Sequence, residues 1–483
     1  MKRKIIVICI TLSLLLSMPA AVLAWGFGLP AQYGDTFMGE LSRKVELLEK
    51  TPGPRIVLVG GSGLAFGVDS ALMERELEGY RVVNFGLYAA LGTTVMLDLS
   101  QPLIREGDIV LLIPEQQAQT LSDWFDPAVM WQGLDGAFGL LGSLPGEKLV
   151  RLAGAFPEFA GQKFSCFLQG QPPDPQGVYR RDAFDQRGDV ASPLCARNEM
   201  PGGYDVNTPI RFDPDMVTEE FARRVREYGQ AVSEKGAVLW YGLCPMNALA
   251  AEGTAEDMDR FYAALQEVLG IPLAGDPREF LLDSGWFYDT NFHPNSSGRI
   301  VYTRALVRAV KAMLGDSSLT DIALPAMPEP AGAAQWDGDD RDGGCFTYEE
   351  ASGALTVTGL TPEGAGRTGL TVPAAWEGKP VSAIGAGAFA GTENLKELTI
   401  QPNIRSIADG AFAGCPGLER IVMESDLPSA CRVGQGLLEG TRAVVCVPAD
   451  ALSAYRTDYF WSVHSASVLP WEQAEDETPK SGG

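Results

Sequence analysis

Residues 56–70 read IVLVGGSGLAFGVDS, and they set the pattern of the first half of the chain. Four apolar residues, Ile56 to Val59, are typical of a short buried strand, and the glycines after them indicate a turn that leads into a helix. Ser62 lies where strand, turn and helix meet. Its hydroxyl is therefore expected at the carboxyl edge of a sheet, where open α/β sheets bind ligands.

Short apolar strands and amphipathic helices alternate on either side of this stretch. Strands are predicted at 82–83, 109–113 and 237–241, and helices at 71–77, 218–233, 255–269 and 298–313. This alternation is typical of a mainly parallel sheet, so we predict an α/β domain over residues 54–315. Residues 125–215 are rich in Gly, Pro and Asp with little periodicity, which predicts a long insertion over the sheet.

The N-terminus predicts export. Three basic residues follow Met1, and the run Ile5 to Ala24 carries no charge. That length fits either an uncleaved membrane anchor or a signal peptide cleaved after Ala24, and both place the rest of the chain outside the cytoplasm. Residues 25–53 are interpreted as a tether that contains one short amphipathic helix.

Composition excludes several classes of function. The chain has 38 Lys plus Arg against 62 Asp plus Glu, a formal net charge of -24 that repels nucleic-acid phosphates. The eight cysteines show no zinc-ligand spacing, so neither a metal nor a cofactor is predicted. Cys166 and Cys195 fit a disulfide and buried free thiols equally well.

The chain has two histidines, and His293 is the one in the α/β domain. A serine hydroxyl needs a nearby base and backbone amides that stabilise the developing oxyanion. His293 lies in the turn-rich stretch DTNFHPN, residues 289–295, with Asp289 close by. These residue types predict Ser62 as nucleophile, His293 as base and Asp289 as the carboxylate that orients it.

Three stretches together resemble the SGNH/GDSL hydrolases: residues 60–70, residues 84–86 (Asn-Phe-Gly) and residues 289–295. The resemblance implies a three-layer αβα, flavodoxin-like domain with a mainly parallel sheet. It also implies an oxyanion hole formed by the backbone amides of Ser62 and Gly86.

The sequence departs from that family at two places. Asp289 stands four residues before His293 where the family has three, and the strand at 109–113 continues into Pro114-Glu115-Gln116-Gln117 instead of a Gly-x-Asn-Asp turn. Gln116 or Gln117 is therefore a candidate replacement donor, and Glu115 lies either behind the site or on the surface. Asn84 is expected to hold the turn that carries Gly86 or to contact substrate, and Asp69 to cap a helix.

The variant motifs are most similar to membrane-tethered SGNH proteins that work beside membrane-bound O-acyltransferases. That resemblance implies an extracytoplasmic serine esterase or O-acyltransferase whose substrate is an ester of cell-surface carbohydrate, with a membrane-bound O-acyltransferase as partner. The alternative is a non-catalytic surface adhesin in which the hydrolase-like domain is degenerate.

The C-terminal part carries an internal repeat of 23 residues. Ile384, Phe389, Leu395 and Leu398 recur as Ile407, Phe412, Leu418 and Ile421, and such a period is typical of a solenoid. Residues 344–470 resemble the BspA-like leucine-rich repeats of bacterial surface proteins, which implies a wall or host ligand. Residues 316–343 are predicted as a linker, and residues 471–483 as a disordered tail.

Overall fold

The computed structural model describes residues 18–173, 177–200, 203–205, 207–328, 340–351, 354–426, 428, 431–434, 436–457 and 461–471. The described residues form two hydrophobic cores. One core draws on residues between Tyr33 and Ile322, and the other on residues between Cys345 and Val468.

A parallel sheet forms the centre of the first core. Its strands and the short strands nearby are β1 Arg55–Gly60, β2 Arg81–Gly86, β3 Ile109–Ile113, β4 Ile210–Arg211, β5 Val238–Tyr241, β6 Met246–Asn247, β7 Ala251–Glu252 and β8 Leu281–Leu282. The central sheet has the order β2-β1-β3-β5, with every pairing parallel. All residues of β1 and β3 are buried because helices cover both faces of the sheet.

Helices cover this sheet. They are α1 Leu41–Lys50, α2 Ser62–Gly67, α3 Ser70–Glu76, α4 Thr93–Ser100, α5 Pro127–Leu134, α6 Gly146–Gln169, α7 Glu219–Glu234, α8 Ala255–Leu269 and α9 Ser296–Leu314. Helix α9 packs on α2 and α3, whereas α4 packs on β1, α1 and α7. Because crossovers between parallel strands are right-handed, this strand order places α2 and α3, with α9, on one face of the sheet and α4 on the other.

The segment predicted as a tether is part of the first core. Tyr33, Phe37 and Leu41 are buried in the same cluster as the central strands. Trp25 stacks on Phe164 of α6 with ring centroids 4.2 Å apart. A free tether is therefore wrong for residues 25–53, because their aromatic and aliphatic side chains find partners that lie more than a hundred residues away.

The aperiodic segment 125–215 contains regular structure that its sequence conceals. Helix α6 runs for 24 residues despite the internal Pro157, and it ends at Gly170, whose φ of +61° is left-handed. Glycines and Pro157 break the apolar period along this helix. Cys166 and Cys195 are both free thiols, which is the second of the two alternatives that the sequence left open; Cys195 is buried and Cys166 is half-buried.

Several predictions fall on residues outside the described ranges. The apolar run is described only from residue 18 onward, and no helix among the described residues has the length and apolarity needed to cross a membrane. Residues 329–339 of the predicted linker and residues 472–483 of the predicted tail also lie outside.

The second core lies inside a short solenoid. Its elements are β9 Phe346–Ala351, β10 Ala354–Leu360, α10 Pro362–Ala365, β11 Gly369–Val372, β12 Ala375–Trp376, β13 Lys379–Ile384, β14 Glu397–Ile400, β15 Ser406–Ile407, β16 Arg420–Met423, β17 Arg432–Val433, β18 Val444–Val447, α11 Leu452–Thr457 and β19 Val468–Pro470. One parallel sheet has the order β11-β14-β16-β18-β19. The other has the order β17-β15-β13-β10-β9, with an antiparallel β9–β10 hairpin at its edge.

The 23-residue period of the sequence is the strand register of this solenoid. Leu398 pairs with Ile421 across β14 and β16, and Ile384 pairs with Ile407 across β13 and β15. Phe389 and Phe412 stack with ring centroids 5.5 Å apart. Each repeat therefore buries its apolar residues against the same positions of the next repeat.

Candidate functional site

Ser62 is the first residue of helix α2, two residues after the last residue of β1. Gly61 precedes it in an extended conformation, and the side chain of Ser62 is almost buried. A Cβ on Gly60 would lie 2.1 Å from the carbonyl oxygen of Ile113, so only glycine fits at this point of the turn. Ser62 thus begins α2, whose first backbone amides have no partners within the helix.

Glu115 follows the end of β3 and lies against this same turn. Its Oε1 accepts a hydrogen bond from the Gly63 N–H at 2.8 Å and lies 3.5 Å from Ser62 Oγ. A Cβ on Gly61 would lie 2.4 Å from each carboxyl oxygen. Glu115 is thus a buried residue of the Ser62 site and not a surface residue.

His293 and Asp289 form a hydrogen-bonded pair. Asp289 Oδ1 lies 2.8 Å from His293 Nδ1, and the Tyr179 hydroxyl donates to Asp289 Oδ2 at 2.6 Å. Thr290 Oγ1 accepts from the backbone N–H groups of Phe292 and His293, which bends the loop. This bend lets a carboxylate four residues before the histidine reach its ring.

The imidazole of His293 packs on the helix that carries Ser62. It stacks on Phe66 with ring centroids 4.1 Å apart, and Phe66 is four residues after Ser62, on the same face of α2. Ser62 and His293 form no direct hydrogen bond in the described residues. His293 Nε2 has no protein partner there and is not sealed from solvent.

Burial and the neighbouring groups determine the charge of Asp289. Burial raises the pKa of Asp289, but the hydrogen bonds and charge of His293, together with Tyr179, lower it more, so its pKa lies below the usual range. Burial and the charge of Asp289 raise the pKa of Tyr179 far above its usual range. Tyr179 therefore stays protonated and donates to an ionised Asp289.

The amide of Gly86 is already occupied. The Gly86 N–H donates to Asn84 Oδ1 at 3.0 Å, and Asn84 Nδ2 donates to Leu64 O and to Asp189 Oδ1. Asn84 therefore holds the turn after β2, as the sequence indicated. The expectation that the Gly86 amide serves an oxyanion does not fit this geometry, because that N–H points at a protein acceptor.

Gln116 also has structural partners. Its Nε2 donates to Arg211 O at 3.1 Å, and its Oε1 accepts from the Tyr262 hydroxyl at 3.3 Å. One N–H and the carbonyl oxygen of this amide are thus bonded within the protein, and the role of Gln116 as a replacement donor stays a prediction. Asp69 caps α3 as predicted, since its Oδ1 accepts from the Leu72 N–H at 2.9 Å.

Three residues near the site were missed by sequence reasoning: Tyr179, Asp189 and Lys44. Asp189 accepts from the backbone N–H and the hydroxyl of Ser70 as well as from Asn84. Lys44 is fully buried, and its Nζ donates to Asn84 O at 2.9 Å and to Gly188 O. Tyr179 and Asp189 lie in the aperiodic segment, and Lys44 lies in the supposed tether, so no motif marked them.

Within the described residues, no group of three or more His, Cys, Asp or Glu side chains is placed to hold a metal ion. The side-chain groups that the structure brings together here are a hydroxyl, an imidazole paired with a carboxylate and a buried carboxyl group.

Comparison with known proteins identifies the second domain only. Residues 377–431 match the family described as BspA type leucine rich repeat region. A leucine rich cell surface protein from Faecalibacterium prausnitzii A2-165 is 20% identical over 25% of this chain and 34% of that chain, with a TM-score of 0.17. A leucine rich repeat protein of T. pallidum is 18% identical over 22% of this chain and 69% of that chain, with a TM-score of 0.15.

No curated protein matches the chain. The chain spans about a third of the length of the first of these solved structures. The family match establishes a BspA-type leucine-rich repeat module in the C-terminal part of the chain and does not reach residues 54–315.

Proposed function

We propose that residues 54–315 form an SGNH-type serine esterase or O-acyltransferase that works through an acyl-Ser62 intermediate. The observation that carries the proposal is the Asp289–His293 pair, joined at 2.8 Å and stacked on the helix that begins with Ser62. An ionised carboxylate on Nδ1 fixes the ring so that Nε2 is the nitrogen that accepts a proton.

In the first step, Ser62 Oγ forms a bond to the carbonyl carbon of the ester, and its proton passes to His293 Nε2. The carbonyl electron pair moves onto the oxygen, which gives a tetrahedral intermediate. When this collapses, the ester bond breaks, and the alcohol oxygen leaves with the proton from His293. Water or a sugar hydroxyl then attacks the acyl-Ser62 ester by the same steps in reverse.

The substrate we propose is an ester of cell-surface carbohydrate, with a membrane-bound O-acyltransferase as the partner that supplies or receives acyl groups. The support is the resemblance of residues 60–70 and 289–295 to the membrane-tethered SGNH proteins. Ser62 and His293 are each only 4% exposed, so the ester must enter a narrow site.

We propose that the protein carries out this function outside the cytoplasm. The basic N-terminus and the uncharged run Ile5 to Ala24 support export, with either membrane anchoring or cleavage after Ala24. The BspA-type module is consistent with binding or adhesion, and we propose that it holds the catalytic domain near a wall or host ligand.

A covalent probe tests the enzyme proposal. Purified protein from residue 25 onward should react with a fluorophosphonate, and Ser62→Ala should abolish labelling. Ser165→Ala, at an exposed position on α6, is the matched control and should label like the unmodified protein. Absence of labelling in protein that is folded by circular dichroism would exclude the serine hydrolase.

A second function, a non-catalytic surface adhesin, is favoured by the repeat match and by the occupied Gly86 amide. In that case, the protein should bind wall polysaccharide or host matrix proteins equally well with and without Ser62→Ala. Binding without any labelling of Ser62 would favour the adhesin over the enzyme.

A further inference from the structure

The carboxyl group of Glu115 is enclosed at the start of α2. Glu115 is 3% exposed, and its Oε1 accepts from the Gly63 N–H at 2.8 Å. Its Oε2 is fully buried and has no hydrogen-bond partner among the described residues. A buried ionised carboxylate normally has all its acceptor positions filled, so an open Oε2 favours the neutral group.

The groups that face Glu115 do not supply a fixed positive charge of their own. Among the described residues, Tyr241, Cys244 and Tyr302 have pKa values that respond to Glu115, and all three are buried with raised pKa values. Burial raises the pKa of Glu115. This outweighs the hydrogen bonds from the Gly63 and Glu115 backbone N–H groups and from the Ser62 hydroxyl, and the charge of His293, all of which lower it.

The position of this carboxyl group is fixed. The backbone carbonyl oxygen of Glu115 accepts from the Gln117 N–H at 2.8 Å and from Thr120 Oγ1 at 2.5 Å. Its side chain lies against Gly61, where a Cβ would collide with both carboxyl oxygens. Groups held in this way stabilise developing charge without reorganising during the reaction.

An ionised Glu115 would oppose catalysis at Ser62. Its Oε1 lies 3.5 Å from Ser62 Oγ, so a carboxylate there would repel the negative oxygen of a tetrahedral intermediate. A neutral carboxylic acid instead has an O–H donor. The Gly86 N–H, which could otherwise donate to the oxygen of the intermediate, is bonded to Asn84.

We propose that Glu115 acts as a neutral carboxylic acid that donates its O–H to the acyl oxygen on Ser62. The proposal rests on the proposed function and assigns the donor that the Gly86 amide does not supply. As the carbonyl electron pair moves onto the oxygen, Glu115 strengthens its hydrogen bond and keeps its own proton. The proton of Ser62 passes to His293, so Glu115 does not act as a base.

The first test measures hydrolysis of p-nitrophenyl acetate from acid to alkaline pH. Because only the neutral acid donates, turnover of the unmodified protein should fall as pH rises through the raised pKa of Glu115. Glu115→Gln keeps a neutral N–H donor, so it should lose this descending limb and retain turnover within about tenfold at the acid end. Glu115→Ala should lose about a hundredfold to a thousandfold in turnover.

Glu158→Gln makes the same chemical change at an exposed position and should keep the descending limb. If folded Glu115→Gln is as inactive as Glu115→Ala, an ionised carboxylate is required and the proposal is overturned.

The second test does not depend on activity. Isotope-edited infrared spectra of the unmodified protein, compared with Glu115→Gln, should show the C=O stretch of a protonated carboxyl at neutral pH. A carboxylate band in its place would overturn the proposal even if the enzyme is active. Conversely, a protonated Glu115 with no labelling at Ser62 would show that the proposed function fails while the neutral acid is present.

Discussion

The imidazole of His293 lies face to face on the ring of Phe66, with centroids 4.1 Å apart and planes 4° from parallel. Phe66 belongs to α2, so this contact connects the loop of the proposed base to the helix of the proposed nucleophile. The Nδ1 atom of His293 is hydrogen-bonded to Asp289, and the Tyr179 hydroxyl donates to the other oxygen of that carboxylate. Orientation of His293 thus depends on one stacking contact and one hydrogen-bonded chain, and each can be tested separately.

The stacking contact predicts a catalytic loss out of proportion to the loss of stability. Phe66→Leu keeps an apolar side chain of similar size and should lower the free energy of unfolding by less than about 1.5 kcal/mol. Turnover should fall by roughly tenfold to a hundredfold, because small displacements of a reacting group are costly. Phe221→Leu, at a fully buried position on α7, is the control, and equal turnover losses in both variants would contradict a positioning role.

The hydrogen-bonded chain predicts graded losses. Asp289→Asn should lower turnover by about ten-thousandfold, since the amide no longer fixes the proton-accepting nitrogen. Tyr179→Phe leaves the carboxylate in place and removes one donor, so we expect a loss of roughly tenfold. Steady-state kinetics on an aryl ester give both values. A larger effect for Tyr179→Phe than for Asp289→Asn would exclude this arrangement.

Lys44 predicts a pH dependence of stability. Burial lowers the pKa of Lys44 to about 8, and the negative charges of Asp189 and Glu40 offset only part of this shift. Between that pH and the unfolded pKa of 10.5, the unfolded chain binds the proton and the folded chain does not, so this lysine makes stability rise with pH. Relative to Lys44→Met, the unmodified protein should gain about 3 kcal/mol across this range. Denaturant unfolding at several pH values measures the difference, and a constant difference would contradict the lowered pKa.

Two glycines near the N-terminus give a matched pair. A Cβ on Gly26 would lie 2.2 Å from the ring of Phe156, whereas nothing lies within 4 Å of a Cβ on Gly28. Gly26→Ala should therefore lower the free energy of unfolding by about 1–3 kcal/mol, and Gly28→Ala should change it by less than about 0.5 kcal/mol. Thermal unfolding distinguishes the two. Equal and small effects would mean that residues 24–28 do not pack on α6 in solution.

The sequence predicted those elements whose contacts lie within one strand, one turn or one repeat. The apolar run at residues 109–113 is β3, and the 23-residue repeat is the register of the solenoid. Asp69 and Asn84 could be interpreted from sequence because capping and turn contacts join residues close in the chain.

Only the tertiary structure decided which side chains surround Ser62. Glu115 reaches the Ser62 turn because β1 and β3 are neighbours in the sheet. Tyr179 and Asp189 come from a segment without periodicity and bond to Asp289 and to Asn84. The tether assignment failed for the same reason, since burial of Tyr33 and Lys44 depends on partners distant in sequence. The sequence by itself thus determined the strands, the repeat and the candidate pair Ser62 and His293. The fold determined that the Gly86 amide is occupied and that a buried carboxyl lies beside Ser62, because those contacts exist only once distant segments pack together.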